Sequence, residues 1–106
     1  MKPINDNELF KAIDVYSLLT NTQKTILKAM IHISVNDEVV ATVTDLQNMT
    51  KFTRASISAA VSFFDKQGII ELSEIRGIKF TGCKLKPNKL QEIVAHYERK
   101  QQDFRK

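Results

Sequence analysis

Apolar residues recur along this chain at helical spacing in some stretches and in short β-favouring runs in others. Leu9, Phe10 and Ile13 share one side of the stretch from Asn5 to Tyr16, which predicts a first helix capped by Asn5 or Asp6. Leu18 and Leu19 lead into a junction. Thr20 with Gln23 three residues on then has the spacing of a capping box, opening a second helix to about Ile33. Its Ile26, Leu27, Met30, Ile31 and Ile33 make the broad apolar face of a helix central to a small core. Asn36-Asp37 is a turn signal. Val39 to Val43 is β-favouring and too short for a helix, so it predicts a strand. Thr44 and Gln47 repeat the capping-box spacing ahead of a short helix whose apolar side is Leu46 and Met49. Thr53 is the next cap, for a helix through Gln67 with Ile57, Val61 and Phe64 at i, i+4 and i+7. Gly68 stops that helix, because glycine takes up a left-handed conformation without steric cost.

Beyond Gly68 the pattern becomes β-like again. Ile69, Ile70, Leu72 and Ile75 form one strand, Arg76-Gly77 a tight turn, and Ile78, Phe80, Cys83 and Leu85 the return strand. Gly82 marks a bulge in that strand. Pro87 ends it and suits the first turn of a last helix, from about Asn88 to Gln102. Leu90, Ile93, Val94, Tyr97 and Phe104 stripe this helix, which is otherwise charged. The predicted order is helix, helix, strand, helix, helix, strand, strand, helix, without repeat or linker. Two helices joined by three or four residues are either an ordinary helical hairpin or a DNA-reading helix-turn-helix, whose second helix enters the major groove. The residues left facing outward on the second helix are Arg54, Ala55, Ser58, Ala59 and Ser62, with no acid between Asp45 and Asp65.

In this order the chain resembles the winged helix-turn-helix family of bacterial DNA-binding proteins. The residues carrying the likeness are Val43-Thr44-x-Leu46, Thr53-Arg54-Ala55-Ser56-Ile57-Ser58-x-x-Val61 and Phe64-x-x-x-Gly68-Ile69-Ile70. The segment TRASISAAVSFFDKQGII looks like the recognition helix and first wing strand of the multiple-antibiotic-resistance repressors. The likeness spans about residues 20–86. It implies an α+β, mainly α fold: a single winged-helix domain with a helix over 5–19, a winged core over 20–86, and a C-terminal helix and basic tail over 87–106. It also implies double-stranded DNA as partner, with residues 53–67 in the major groove and the tip Arg76-Gly77-Ile78-Lys79 on the backbone or in the minor groove. The DNA-contacting set is then Lys51, Thr53, Arg54, Ser56, Ser58, Ser62, Arg76 and Lys79. The family's readers often carry several Arg, Gln or Asn on this helix for bidentate base contacts, and here Arg54 alone is of that type. Length and layout are also similar to the winged-helix centromere-binding adaptors of tubulin-like plasmid partition systems.

Charge sharpens this picture. The 106 residues carry a formal +4, spread unevenly. Residues 1–78 hold eight Lys/Arg and nine Asp/Glu (8 − 9 = −1), whereas residues 79–106 hold eight and three (8 − 3 = +5). Such a segment attracts a polyanion by its field and by counterion release, or it is a solubilising tail. At 42% hydrophobic and 26% charged the chain is one globular domain. No apolar run approaches the roughly 18 residues of a membrane span, and a single cysteine, Cys83, excludes an internal disulfide, which together predict a cytoplasmic protein. His32, His96 and Cys83 stand far apart, and no phosphate-cradling glycine loop, metal-ligand cluster or carboxylate pair is present, so neither enzyme activity nor a cofactor or metal is expected. Two apolar stripes flank the core, Leu9, Phe10 and Ile13 at one end and Leu90, Ile93, Val94, Tyr97 and Phe104 at the other. They predict a homodimer that buries them and sets half-site spacing, the alternative being that both helices pack within one chain. The functional expectation is a homodimeric transcriptional repressor. The alternative is a partition or replication adaptor on iterated DNA repeats, with a protein partner at its basic 84–106 segment.

Overall fold

A computed structural model of the chain describes residues 6–72 and 82–104, with side chains described over 7–72 and 82–100. Among the described residues there are five helices and a three-stranded antiparallel sheet, a mainly helical α+β arrangement. The order is α1 (Asp6–Asp14), α2 (Asn21–Ile33), β1 (Glu38–Val39), α3 (Val43–Thr50), α4 (Arg54–Lys66), β2 (Ile70–Leu72), β3 (Cys83–Leu85) and α5 (Pro87–Phe104).

α2 is the hub, packed against α1, α3, α4 and β1. Its capping box forms as the spacing predicts. The Gln23 N–H donates to Thr20 Oγ1 (3.1 Å), and the Thr20 N–H donates to Gln23 Oε1 (2.9 Å). Ile26, Leu27, Met30 and Ile31 are buried, while His32 is exposed. Asn36 and Asp37 follow with φ of 52° and 66°, and Val35 and Glu38 exchange both backbone hydrogen bonds around them (2.9 and 3.0 Å). Two consecutive positive φ angles make this a type I′ hairpin turn, which Asn and Asp tolerate best after glycine.

The run Val39–Val43 does not remain a strand. β1 stops at Val39, Val40 turns outward, and Thr42 caps α3 instead of Thr44. The Asp45 N–H donates to Thr42 Oγ1 (3.1 Å) and the Thr42 N–H to Asp45 Oδ2 (2.9 Å). Two overlapping cap frames compete here. The earlier one wins because it places both Val43 and Leu46 in the core. Met49, expected on the apolar side of this helix, is exposed in consequence.

α4 begins at the predicted cap, with the Ser56 N–H donating to Thr53 Oγ1 (3.1 Å). It ends in a Schellman motif: the Gly68 N–H bonds to Asp65 O (3.1 Å) and the Ile69 N–H to Phe64 O (2.9 Å), with Gly68 at φ +74°. Phe64 and Ile69, the apolar pair that accompanies this motif, are both buried. The strands lie in the order β1-β3-β2, with Val39 opposite Cys83 and Ile70 opposite Leu85. Gly82 falls one residue before β3, where its backbone passes close to Val39.

The residues expected at a dimer interface lie between the terminal helices of one chain. α1 and α5 pack on each other within one chain. Leu9, Ile13, Leu90, Ile93 and Val94 are buried there, Ile13 and Ile93 at 0% exposure, and Phe10 and Tyr97 are partly covered against the same core. Tyr16 meets His96 edge-on with ring centroids 5.8 Å apart. Asp14 at the end of α1 is tied to α2 by Lys28 (2.6 Å), and Lys24 donates to the Asp14 carbonyl (2.7 Å). The described residues of the two stripes are thus buried or partly covered within the chain. The Phe104 side chain lies outside the described residues.

Candidate nucleic-acid interface

α3 and α4 are joined by Lys51, Phe52 and Thr53, and the turn chemistry explains how so few residues reverse the chain. Lys51 takes the left-handed conformation (φ 66°, ψ 15°), and its N–H closes α3 on Gln47 O at 2.7 Å. Thr50 donates its hydroxyl back to Leu46 O (2.7 Å). Phe52 packs half-buried against the core. Thr53 then starts α4.

α4 has a buried and an exposed face, with Ser56 and Phe63 half-buried between them. Ile57, Ala60, Val61 and Phe64 face the core, and Arg54, Ala55, Ser58, Ala59, Ser62, Asp65 and Lys66 are exposed. The outward face is therefore a smooth strip of alanine and serine with a cation at each end and Asp65 beside Lys66. Of the residues expected to touch DNA, Lys51, Thr53, Arg54, Ser58 and Ser62 are exposed on this turn and helix. Ser56 is half-buried, and its hydroxyl accepts from the Thr53 hydroxyl at 3.0 Å, so it belongs to the helix start. Arg76, Lys79 and the expected turn at Arg76-Gly77 lie outside the described residues.

One contact was not visible in the sequence. Arg54 Nη2 donates to Thr44 Oγ1 at 3.0 Å, joining the first turn of α4 to the first turn of α3. Ten residues separate the pair, and no local spacing rule links them.

Among the described residues, three lysines of the basic 79–106 segment lie beside acids. Lys84 is paired in register with Glu38 on one side and Glu71 on the other, all three exposed. Lys86 lies 4.0 Å from Glu71, and Lys89 3.3 Å from Glu92. The outer face of the sheet is thus of mixed sign, and exposed pairs of this kind contribute little to stability.

Among the described residues no group of three or more His, Cys, Asp or Glu is placed to hold a metal ion. No helix among them is long and apolar enough to cross a membrane. Cys83 is a buried strand residue, and burial pushes its thiol from the ordinary 9.0 up to about 12. The thiolate is the reactive form, so the native chain should resist iodoacetamide at about pH 8 and react once unfolded. Because the folded-state value is raised, the stability linked to this group is complete below about pH 9 and declines as pH rises toward 12. Rapid alkylation of the folded chain at neutral pH, followed by mass spectrometry, would contradict this placement.

No family model, curated protein or solved structure matches the chain.

Proposed function

We propose that this chain is a sequence-selective double-stranded-DNA-binding protein of winged helix-turn-helix type, acting as a transcriptional repressor in the cytoplasm and carrying no catalytic chemistry. The observation that carries the reading is the outward face of α4. It is a strip of Ala55, Ser58, Ala59 and Ser62, headed by Arg54, on a helix set by a three-residue turn against α3. Small side chains let a helix backbone approach the floor of the major groove. Arg54 supplies a bidentate base contact, and Ser58 and Ser62 supply single hydrogen bonds. The β2–β3 pair that follows α4 fits a wing. Its tip, Arg76 and Lys79, enters the reading from the sequence alone.

Two copies on a two-fold site belong to the reading, with their mutual contact outside the α1–α5 seam. A second reading, an adaptor on iterated repeats in a partition or replication assembly, is favoured by the scarcity of base-reading side chains on α4. A face that discriminates weakly at each site gains selectivity from multiplicity.

The test is binding of a duplex enriched by in vitro selection against a scrambled duplex. Arg54→Ala should cost roughly 1–3 kcal/mol on the selected duplex. Arg76→Ala and Lys79→Ala should weaken both duplexes alike and flatten the salt dependence. Footprinting then separates the readings: one palindrome supports repression, and a run of repeats supports the adaptor. If folded wild-type chain enriches no sequence, the DNA-binding reading fails.

A further inference from the structure

Arg54 occupies a position that helix energetics do not explain. It is the first residue of α4, at the positive end of the helix dipole, where a cation is disfavoured. The first turn of α4 contains no acid to offset it, and among the described residues no carboxylate lies within ion-pair distance of its guanidinium. Asp45, the nearest acid in sequence to Thr44, holds the Thr42 N–H instead. What Arg54 does have is the Thr44 hydroxyl, at 3.0 Å.

We propose that Thr44 is a positioning residue that braces Arg54 for base reading, an inference that rests on the DNA-binding function proposed above. The chemistry of the guanidinium supports the assignment. It has five N–H donors arranged as two forks, one of Nε and Nη2 and one of Nη1 and Nη2. Each hydrogen on Nη2 belongs to a different fork. Thr44 Oγ1 takes one Nη2 hydrogen and leaves the other fork complete, so a braced Arg54 still presents the two parallel donors that match guanine O6 and N7. A free arginine loses much rotamer freedom when fixed in a groove, and a side chain already held in place loses less. Thr44 is itself exposed on the second position of α3, clear of the Thr42–Asp45 cap, so its hydroxyl is not needed to start the helix.

The experiment uses Thr44→Val, which keeps the shape and removes the hydroxyl, with Thr44→Ser as the conservative variant and Arg54→Ala as reference. Thr44→Ala is a second deletion of the hydroxyl if the valine disturbs α3, and thermal unfolding checks each variant. The readout is the ratio of affinities for the selected and scrambled duplexes. Thr44→Val should lower this ratio roughly ten-fold, the scale of one hydrogen bond to a charged group, and Thr44→Ser should restore it. The Thr44→Val/Arg54→Ala double variant should be no worse than Arg54→Ala alone, because the brace acts only through the arginine. The DNA-free protein gives an independent reading: the Arg54 side-chain N–H should be more ordered by NMR relaxation than that of exposed Arg99, and Thr44→Val should abolish the difference. If Arg54→Ala lowers the ratio and Thr44→Val does not, the brace is overturned and the DNA-binding reading stands. If Arg54 is ordered and released as described but wild-type chain does not discriminate between duplexes, the DNA-binding reading fails and the role in base reading fails with it.

Discussion

Replacing Ile93 by alanine is expected to destabilise the folded chain by about 2–5 kcal/mol, the usual range for emptying a buried isoleucine site. Ile93 is wholly buried on α5, and the same seam holds Leu90, Val94, Leu9 and Ile13. α1 is short, nine residues, and a helix of that length owes its stability to the face it packs. The gap left by Ile93 lies in a core whose other members, Ile13 at 0% exposure among them, are already packed, so local collapse fills it only in part. For a domain of about 100 residues each kcal/mol shifts the melting point by roughly 4–8 °C, so the loss is large on a thermal scan. The decisive feature is its concentration dependence. A seam within one chain gives the same urea midpoint at any protein concentration, whereas a seam between chains gives a midpoint that rises with concentration. Midpoints of wild type and Ile93→Ala that move with concentration would return these residues to an intermolecular interface.

That seam also shows where reading the chain alone stops. The stripes on the terminal helices were legible as surfaces needing cover, since apolar spacing is a local property. Which surface covers which is decided by the path of the chain between them, and no spacing rule encodes that. The same division recurs elsewhere. The Thr20–Gln23 box, the Thr53 cap, the Asn36-Asp37 turn and the Gly68 stop each depend on chemistry within a few residues, and each forms where the sequence places it. The start of α3 was displaced because Thr42-x-x-Asp45 and Thr44-x-x-Gln47 are equivalent as local signals. Only the burial of Val43 in the core favours the first. β1 is shorter than its β-branched run because that cap draws the chain away from β3 after Val39.

At the candidate interface the outward residues of α4 were legible from helical periodicity. Their hydrogen-bond commitments were not. Thr53 and Ser56 spend their hydroxyls on the helix start, and Arg54 is held by a residue from another helix. The strip that remains for a partner is therefore plainer than the sequence suggests: Ser58 and Ser62, two alanines and one oriented arginine. Within the basic 79–106 segment, Lys84 stands between Glu38 and Glu71 on the sheet.

A second large effect is expected at Gly82, and its cause is backbone crowding. A Cβ built there would lie 2.5 Å from the Val39 carbonyl oxygen, with the Val39 carbonyl carbon and the Val40 Cα each at 3.5 Å. All three are main-chain atoms, so no side chain can swing aside to make room. Val39 is fixed in register with Cys83, and the neighbouring Asp37 carbonyl accepts from the Leu85 N–H at 2.7 Å, so β1 cannot retreat without breaking the β1–β3 pairing. Gly82→Ala should therefore cost about 1–3 kcal/mol from overpacking, and more if the pairing opens. Gly68 is the natural control. It has a positive φ of 74° but nothing within 4 Å of its Cβ position, so Gly68→Ala should cost only the left-handed penalty of about 1 kcal/mol. Urea unfolding of the two variants side by side tests the distinction. Crowding predicts the larger loss at Gly82 together with faster hydrogen exchange of the Leu85 amide, and equal losses at the two sites would show that conformation alone, not the approach of β1, selects glycine at position 82.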